Sequence, residues 1–286
     1  MTDAGFDKTK AYAAQEEGTG YFDDGREIEL LHFVYAHPDL DNIRGSPEKV
    51  LRAIDEFGRT KKYLMNVGED KGRIVCDLIQ EVKPKTMVEL GGYVGYSCIL
   101  FGNMLAKVGG QRYFSLEMNP EFAAVIMSLV HLAGLSHIVE VVVGPSDASL
   151  ARLHAEGQLQ LIDLLFLDHY KPAYTTDLKL CEELKLVRPG SVLAADNVIK
   201  PGNPTYLDYV RSNVNQKRAK LGEIHRGEEL PEDTVDQYKK RYATMQFNKS
   251  PGNPNLVYES KIVHSFEPTG VPDGVEITRC VGEDVQ

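Results

Sequence analysis

The chain has 286 residues, of which 42 % are apolar and 26 % charged, with a formal net charge of −10. This is enough chain for one large or two small globular domains with a core of their own, and the acidic balance excludes a phosphate-backbone binder, which needs a basic face. Cys76, Cys98, Cys181 and Cys280 form no C-x-x-C pair and no zinc spacing, which predicts reduced, buried thiols in a cytoplasmic protein.

Residues 1–28 are polar, without a clear period or an apolar signal-peptide core, and read as a mobile or loosely docked extension. Residues 29–286 read as a single domain, and no run of about 18 apolar residues predicts a membrane span. Helical patterning begins near Ile28. In "SPEKVLRAIDEF" Ser46 stands at the N-cap, Pro47 at the first helical position and Glu48 in the first turn, and Val50, Leu51, Ile54 and Phe57 form one apolar stripe. "DKGRIVCDLIQEV" predicts a second helix with Ile74, Val75, Leu78, Ile79 and Val82 on one face. Short apolar runs follow: "TMVEL", "RYFSLEM", "IVEVVVG", "LIDLLFLDH" and "SVLAADNV", separated by helix-length segments. That alternation predicts a parallel sheet covered on both faces, with ligands beyond the carboxyl ends of the strands. Residues 212–255 are a polar insertion with one helix predicted over "PEDTVDQYKKRYATMQF". The chain closes with an antiparallel hairpin of "YESKIVHSFEP" and "GVEITRCV", its turn predicted at the Pro-Asp-Gly of "TGVPDG".

Polar residues at the strand ends carry the candidate chemistry. The first strand runs into "VELGGYVGYS", where Gly91, Gly92 and Gly95 let the backbone turn tightly and approach a ligand. Tyr93 stands where a G-x-G-x-x-G fingerprint needs its second glycine, which weakens a nicotinamide reading. Glu117, ending the second strand, is either an acceptor for both ribose hydroxyls or a surface acid at a strand end. Together these point to an adenosine-containing cofactor, either NAD or S-adenosylmethionine. Ser146 and Asp147 follow the third strand, as readers of an adenine edge or as helix caps. Asp168 follows the fourth strand, and Asp196 and Asn197 the fifth. These oxygen donors suit an octahedral Mg²⁺ or, alternatively, cap helices; the absence of Cys and His pairs argues against zinc.

"MNVGEDKG", "VELGGYVGYS", "SLEMNP", "AGL", "FLDHYK" and "ADNVIKPG" occur in this order and at characteristic spacing. On these motifs the chain resembles the catechol O-methyltransferases, a family of class I S-adenosylmethionine-dependent methyltransferases. The resemblance runs from about Tyr35 to Arg211 and resumes over the last hairpin to about Gly282. It implies a Rossmann-like methyltransferase fold: α/β, doubly wound, with a mostly parallel seven-stranded sheet, helices on both faces and a C-terminal antiparallel hairpin. It implies S-adenosylmethionine and Mg²⁺ as cofactors, and a small catechol that is methylated on one hydroxyl. Neither nucleic acid nor membrane is an expected partner, and a monomer or weak dimer is expected.

The resemblance also implies roles. Asp168, Asp196 and Asn197 match the Mg²⁺ ligands, Lys171 the general base, and Glu267 the acid that holds the second catechol hydroxyl. Val67, Glu89, Gly91, Tyr93 and Ser97 match positions around the methionine part of the cofactor, and Met65 and Asn66 lie near the sulfonium and the substrate. Glu117 matches the ribose acid, Met118 its adenosine neighbour, and Ser146 and His169 adenine neighbours. Asp147 stands where a glutamine is expected at the adenine. Asp168 and Tyr170 border both cofactor and substrate. Tyr63, Tyr170 and Pro201 are expected to wall the substrate slot, the two tyrosines standing where the family often has tryptophan. Residues 212–255 have no counterpart and are placed to cover the substrate mouth, cover a subunit face or extend into solvent. A larger phenolic or conjugated catechol is the alternative substrate, and a non-catalytic cofactor-binding protein the alternative function.

Overall fold

The computed structural model describes residues 5–14, 24–221 and 247–284. Strands β1 (Thr86–Leu90), β2 (Arg112–Glu117), β3 (Val139–Val143), β4 (Leu164–Leu167), β5 (Val192–Ala195), β6 (Leu256–Phe266) and β7 (Pro272–Glu283) form one sheet. Their order is β3-β2-β1-β4-β5-β7-β6. The first five are parallel, β7 runs antiparallel to β5, and β6 pairs antiparallel with β7. The expected seven-stranded, mostly parallel sheet with a C-terminal hairpin is thus present.

Helices cover both faces because the strand side chains alternate between two cores. Met87, Leu164 and Phe166 face α1 (Arg26–Tyr35), α3 (Pro47–Thr60), α4 (Gly68–Val82), α5 (Tyr96–Lys107) and α6 (Pro120–Leu132). A short α2 (Leu40–Ile43) joins α1 to α3. Val88, Leu90, Leu165 and Leu167 face α7 (Ser146–Ala155), α8 (Tyr174–Glu183) and α9 (Pro204–Arg211). The winding reverses between β1 and β4, and such a switch point opens a crevice at the carboxyl ends of the strands. No helix among the described residues is long and apolar enough to cross a membrane.

Two local expectations change, those for Ser146–Asp147 and for the hairpin turn, while the Ser46 N-cap and the docking of the leader are given in more detail. Ser46 occupies the N-cap of α3 but makes no side-chain capping bond, so Pro47 at the first position marks that helix start. Ser146 and Asp147 lie inside the first turn of α7, whose N-cap is Pro145. The hairpin turns at residues 267–271, not at Pro-Asp-Gly: Phe266 pairs with Pro272, Ser265 with Asp273 and His264 with Gly274. Gly270 supplies the positive φ of +84° there, and Pro272 sits at the first position of β7, where a missing N–H is tolerated. The leader is anchored over part of its length, with Tyr12 buried against α3. The helix predicted in the insertion lies, except for Phe247, outside the described residues; a short α10 (Val214–Ala219) opens the insertion, held by an Asn213–Gln216 capping box.

Candidate active site

The glycine turn after β1 forms one side of the crevice. Gly91 has φ +87°, and a Cβ there would stand 2.6 Å from the carbonyl oxygen of Asp168. Only glycine lets the end of β1 pass so close to the end of β4. Glu117 braces this turn: Oε2 accepts from the amides of Gly92 and Tyr93 at 3.1 and 3.0 Å, and Oε1 from that of Asn119 at 2.8 Å. A carboxylate has about four lone-pair sites, so these bonds leave acceptor capacity. Tyr93 (φ +50°) packs edge-on against Phe122, with its hydroxyl beside the buried Glu27 carboxyl. Ser97, in the first turn of α5, is buried, as are Val67 and Asn66; Met65 and Met118 are half-buried. Glu89 is turned into the layer between β1 and α5, where Cys98 Sγ and Ser115 Oγ donate to Oε2 at 2.9 and 2.8 Å. Burial pushes its carboxyl up.

A charged cluster fills the other side. Leu167 and Ala195 pair across β4 and β5, so the next residues, Asp168 and Asp196, emerge side by side. Lys171 is buried in the short turn before α8; its Nζ donates to Asp168 Oδ1 at 3.0 Å and to Tyr174 Oη at 2.7 Å. Asn197, in left-handed conformation at φ +58°, donates through Nδ2 to Glu267 Oε1 at 2.6 Å and Asp273 Oδ2 at 3.1 Å. Asp273 also accepts from the amides of Ile199 and Lys200, fixing the turn that leads to the exposed Pro201. These tertiary bonds outweigh the local turn preference of Pro-Asp-Gly and hold Asp273 in β7. Tyr63 is buried, with its backbone carbonyl accepting from Arg26 Nη1 at 2.7 Å. Burial, and then Glu267, raise its phenol pKa.

Two of these groups were not singled out in the sequence. Lys71, on α4 and fully buried, reaches Glu267 Oε1 at 2.7 Å and Asp273 Oδ2 at 2.9 Å. Its Nζ also lies 2.8 Å from each Asp196 oxygen, with hydrogen-bond geometry to Oδ2 alone. The available signal was its place on the apolar stripe of α4, in line with Val75 and Leu78. Asp273 is the second, hidden by its apparent turn motif.

The cluster carries more carboxylates than ammonium groups. Asp168, Asp196, Glu267 and Asp273 face Lys71 and Lys171, so four carboxylates meet two ammonium groups. Two negative charges are left over when all are ionised. Asp196 Oδ1 is buried without a hydrogen-bond partner. Burial pushes Asp168 up to about 7, with Asp196 adding to the shift and Lys171 opposing it. Burial likewise pushes Glu267 up to about 8, against the pull of Lys71. Burial also disfavours ionised Asp273, yet Lys71 and its other donors hold it at about 2.

The remaining predicted residues gather behind Lys171. His169 stacks on Tyr174, rings 4.8 Å apart, and its Nε2 lies 3.0 Å from Asp177 Oδ2. Ser146 Oγ donates to the same carboxylate oxygen, and Asn248 Nδ2, from the insertion, donates to Asp177 Oδ1 at 3.1 Å. Asp177 thus ties the third strand end, the fourth strand end and the insertion together. Among the described residues Asp147 bonds only locally, accepting from the amide of Ala148. Tyr170 stacks on Phe247 of the insertion at 5.9 Å.

A doubly wound sheet with a glycine turn braced by Glu117 and an acid–amine cluster at its switch point gives a Rossmann-like frame with a polar crevice. The family model described as O-methyltransferase matches residues 46–233, and the chain belongs to that family. It is 40 % identical over 188 residues to a bovine protein named catechol O-methyltransferase, covering 66 % of this chain and 67 % of that protein. It is 41 % identical over 174 residues to the zebrafish catechol O-methyltransferase B, covering 61 % and 65 %. The fold is similar to that of an O-methyltransferase from Bacillus cereus solved in complex with SAH: TM-score 0.53, 20 % identity, 88 % of this chain and 99 % of that one.

Proposed function

We propose that this protein transfers a methyl group from S-adenosylmethionine to one hydroxyl of a vicinal diphenol, with Mg²⁺ held by Asp168, Asp196 and Asn197. The observation that carries the reading is that two proton-handling groups border the Asp168–Asp196–Asn197 donors, Lys171 bonded to Asp168 and Glu267 bonded to Asn197. The names of the bovine and zebrafish relatives support it. When bound, S-adenosylmethionine supplies the methyl group and Mg²⁺ lowers the pKa of the diphenol hydroxyls. Lys171 Nζ, in its neutral amine form, takes the proton of the hydroxyl that is methylated, held in place by Asp168 and Tyr174. With the cofactor bound, the deprotonated oxygen would take the methyl group, and the thioether form of the cofactor would be the leaving group. Glu267 holds the second hydroxyl, and Tyr63, Tyr170 and Pro201 flank the ring. Gly91, Tyr93, Ser97, Val67 and Met65 border the methionine part of the cofactor, and Glu89 supports that wall from inside. Glu117 and Met118 take the ribose side, and Ser146, Asp147 and His169 the adenine side. Four buried free thiols accord with a reducing, cytoplasmic setting.

The test is product formation from a panel of catechols with S-adenosylmethionine, with Mg²⁺ and with EDTA. Methylated product that EDTA abolishes is expected; no product from any catechol, with the cofactor bound, overturns the reading. The Phe247–Tyr170 stack supports a second version, in which larger catechol conjugates are accepted. A higher kcat/KM for large than for small catechols would select it.

A pH dependence follows from the same cluster. Asp168 and Glu267 have folded pKa values of about 7 and about 8, above their ordinary 3.8 and 4.5. A carboxyl raised by folding destabilises the fold as pH climbs from its unfolded toward its folded value. The metal-free protein is therefore expected to lose thermal stability between pH 5 and pH 8, and Mg²⁺ to restore more at pH 8 than at pH 6. Metal binding at pH 7 should release protons, seen as a buffer-dependent heat in calorimetry. A metal-free melting temperature that rises over this range would contradict the raised values.

A further inference from the structure

The anchored part of the leader closes on the turn that carries Glu267. The ring of Phe6 lies against that of Phe266, centroids 5.7 Å apart. It also packs on Gly270, where a Cβ would be 2.7 Å from the ring. The amide of Tyr12 donates to the carbonyl of Pro268 at 2.9 Å, and that of Ala13 to Gly58 in α3 at 2.9 Å. Phe266 and Pro268 are the chain neighbours of Glu267, so the leader grips this residue from both sides. Tyr12 also reaches the segment that begins α4. Its hydroxyl donates to Asp55 Oδ1 at 2.6 Å and accepts from Asn66 Nδ2 at 3.4 Å, while Lys10 pairs with Glu69 at 2.8 Å. The ring of Tyr12 is 6 % exposed and seated on Gly58, where a Cβ would meet it at 2.5 Å.

We propose that Phe6 and Tyr12 are positioning residues for the substrate, and that residues 6–13 form a strap that sets the place of Glu267 and Asn66. The proposal rests on the reading of Glu267 as the acid that holds a diphenol hydroxyl. The hairpin turn has two backbone bonds of its own, Glu267 to Val271 and Gly270 to Glu267, and the strap packs on Gly270 and bonds to Pro268. A carboxylate that must meet a hydroxyl on a rigid ring tolerates little displacement, since a shift of about 1 Å can cost up to about 100-fold in rate. Asn66 is steadied in the same way, through a hydroxyl that is itself fixed by Asp55.

Phe6→Ala and Tyr12→Phe in the full-length chain test this. Phe6 is half-buried, and Tyr12→Phe keeps the ring and the backbone bond, so both variants are expected to fold. Phe6→Ala should raise the catechol KM about tenfold, with a smaller change in kcat and unchanged affinity for S-adenosylhomocysteine; Tyr12→Phe should raise KM less. In a Glu267→Gln background the Phe6→Ala effect should vanish, because both changes act on one contact. An unchanged KM, or full additivity with Glu267→Gln, overturns the strap. Amide hydrogen exchange reads the strap without turnover: the Glu267 and Gly270 amides should exchange faster in Phe6→Ala. If wild-type protein methylates no catechol but this exchange rises, the substrate reading fails and the strap stands. If wild-type protein is active and the exchange is unchanged, the strap fails alone.

Discussion

Lys171→Ala is expected to lower kcat by about 10²–10⁴-fold, the usual contribution of a positioned proton acceptor, while S-adenosylhomocysteine affinity stays nearly unchanged. The geometry separates the two effects. Lys171 Nζ is held between Asp168 and Tyr174, in the acid–amine cluster on one side of the crevice, whereas the glycine turn braced by Glu117 lies on the other. Lys171→Met tests the same point with the stem volume kept. Lys171→Arg should not rescue turnover, because a guanidinium stays protonated and cannot accept the proton. Loss of the ammonium beside Asp168 should not weaken Mg²⁺ binding, since it removes a competing positive charge. Calorimetry with S-adenosylhomocysteine and single-turnover kinetics distinguish these effects; a Lys171→Met enzyme with wild-type kcat would remove Lys171 from the base role.

The sheet was legible because parallel strands buried on both faces leave near-continuous apolar runs, and β1 to β5 all carry that mark. Their polar ends were legible for the same reason: Asp168 and Asp196 interrupt "LLFL" and "VLAA" at the positions where the register brings them together. What the sequence concealed depends on contacts between distant segments. Pro-Asp-Gly reads locally as a turn, yet Asp273 is spent on Lys71, Asn197 and two amides of the turn after β5. Phe6 and Tyr12 look like isolated aromatics in a polar leader until the hairpin, more than 250 residues later, provides their partners. Lys71 looks like any first-turn lysine, and only its alignment with Val75 and Leu78 betrays a buried position.

That buried lysine gives the largest expected effect on the fold. Lys71→Met should destabilise the protein by about 3–5 kcal/mol at pH 8, the range found when one partner of a buried ion pair is removed. Three carboxylates, Asp196, Glu267 and Asp273, share its ammonium, and solvent relieves them little, since Lys71 and Asp273 are fully buried, Asp196 nearly so and Glu267 15 % exposed. The three acids raise the Lys71 pKa above the ordinary 10.5, more than offsetting burial. A lysine raised in this way keeps its full stabilising contribution below about 10.5, so wild-type Lys71 stays charged across the range tested. In the variant the acids can relieve their repulsion only by taking protons. The destabilisation should therefore shrink as pH falls from 8 to 5.5, and Lys71→Met/Asp273→Asn should recover part of it by removing one of the stranded charges. Saturating Mg²⁺ should restore stability further, because a divalent cation replaces the missing charge at Asp196. Urea denaturation at the two pH values, with and without Mg²⁺, measures all three effects. A variant as stable as wild type at pH 8 would mean that the acids are already neutral there, and that Lys71 is not the counter-charge that keeps Glu267 and Asp196 in place.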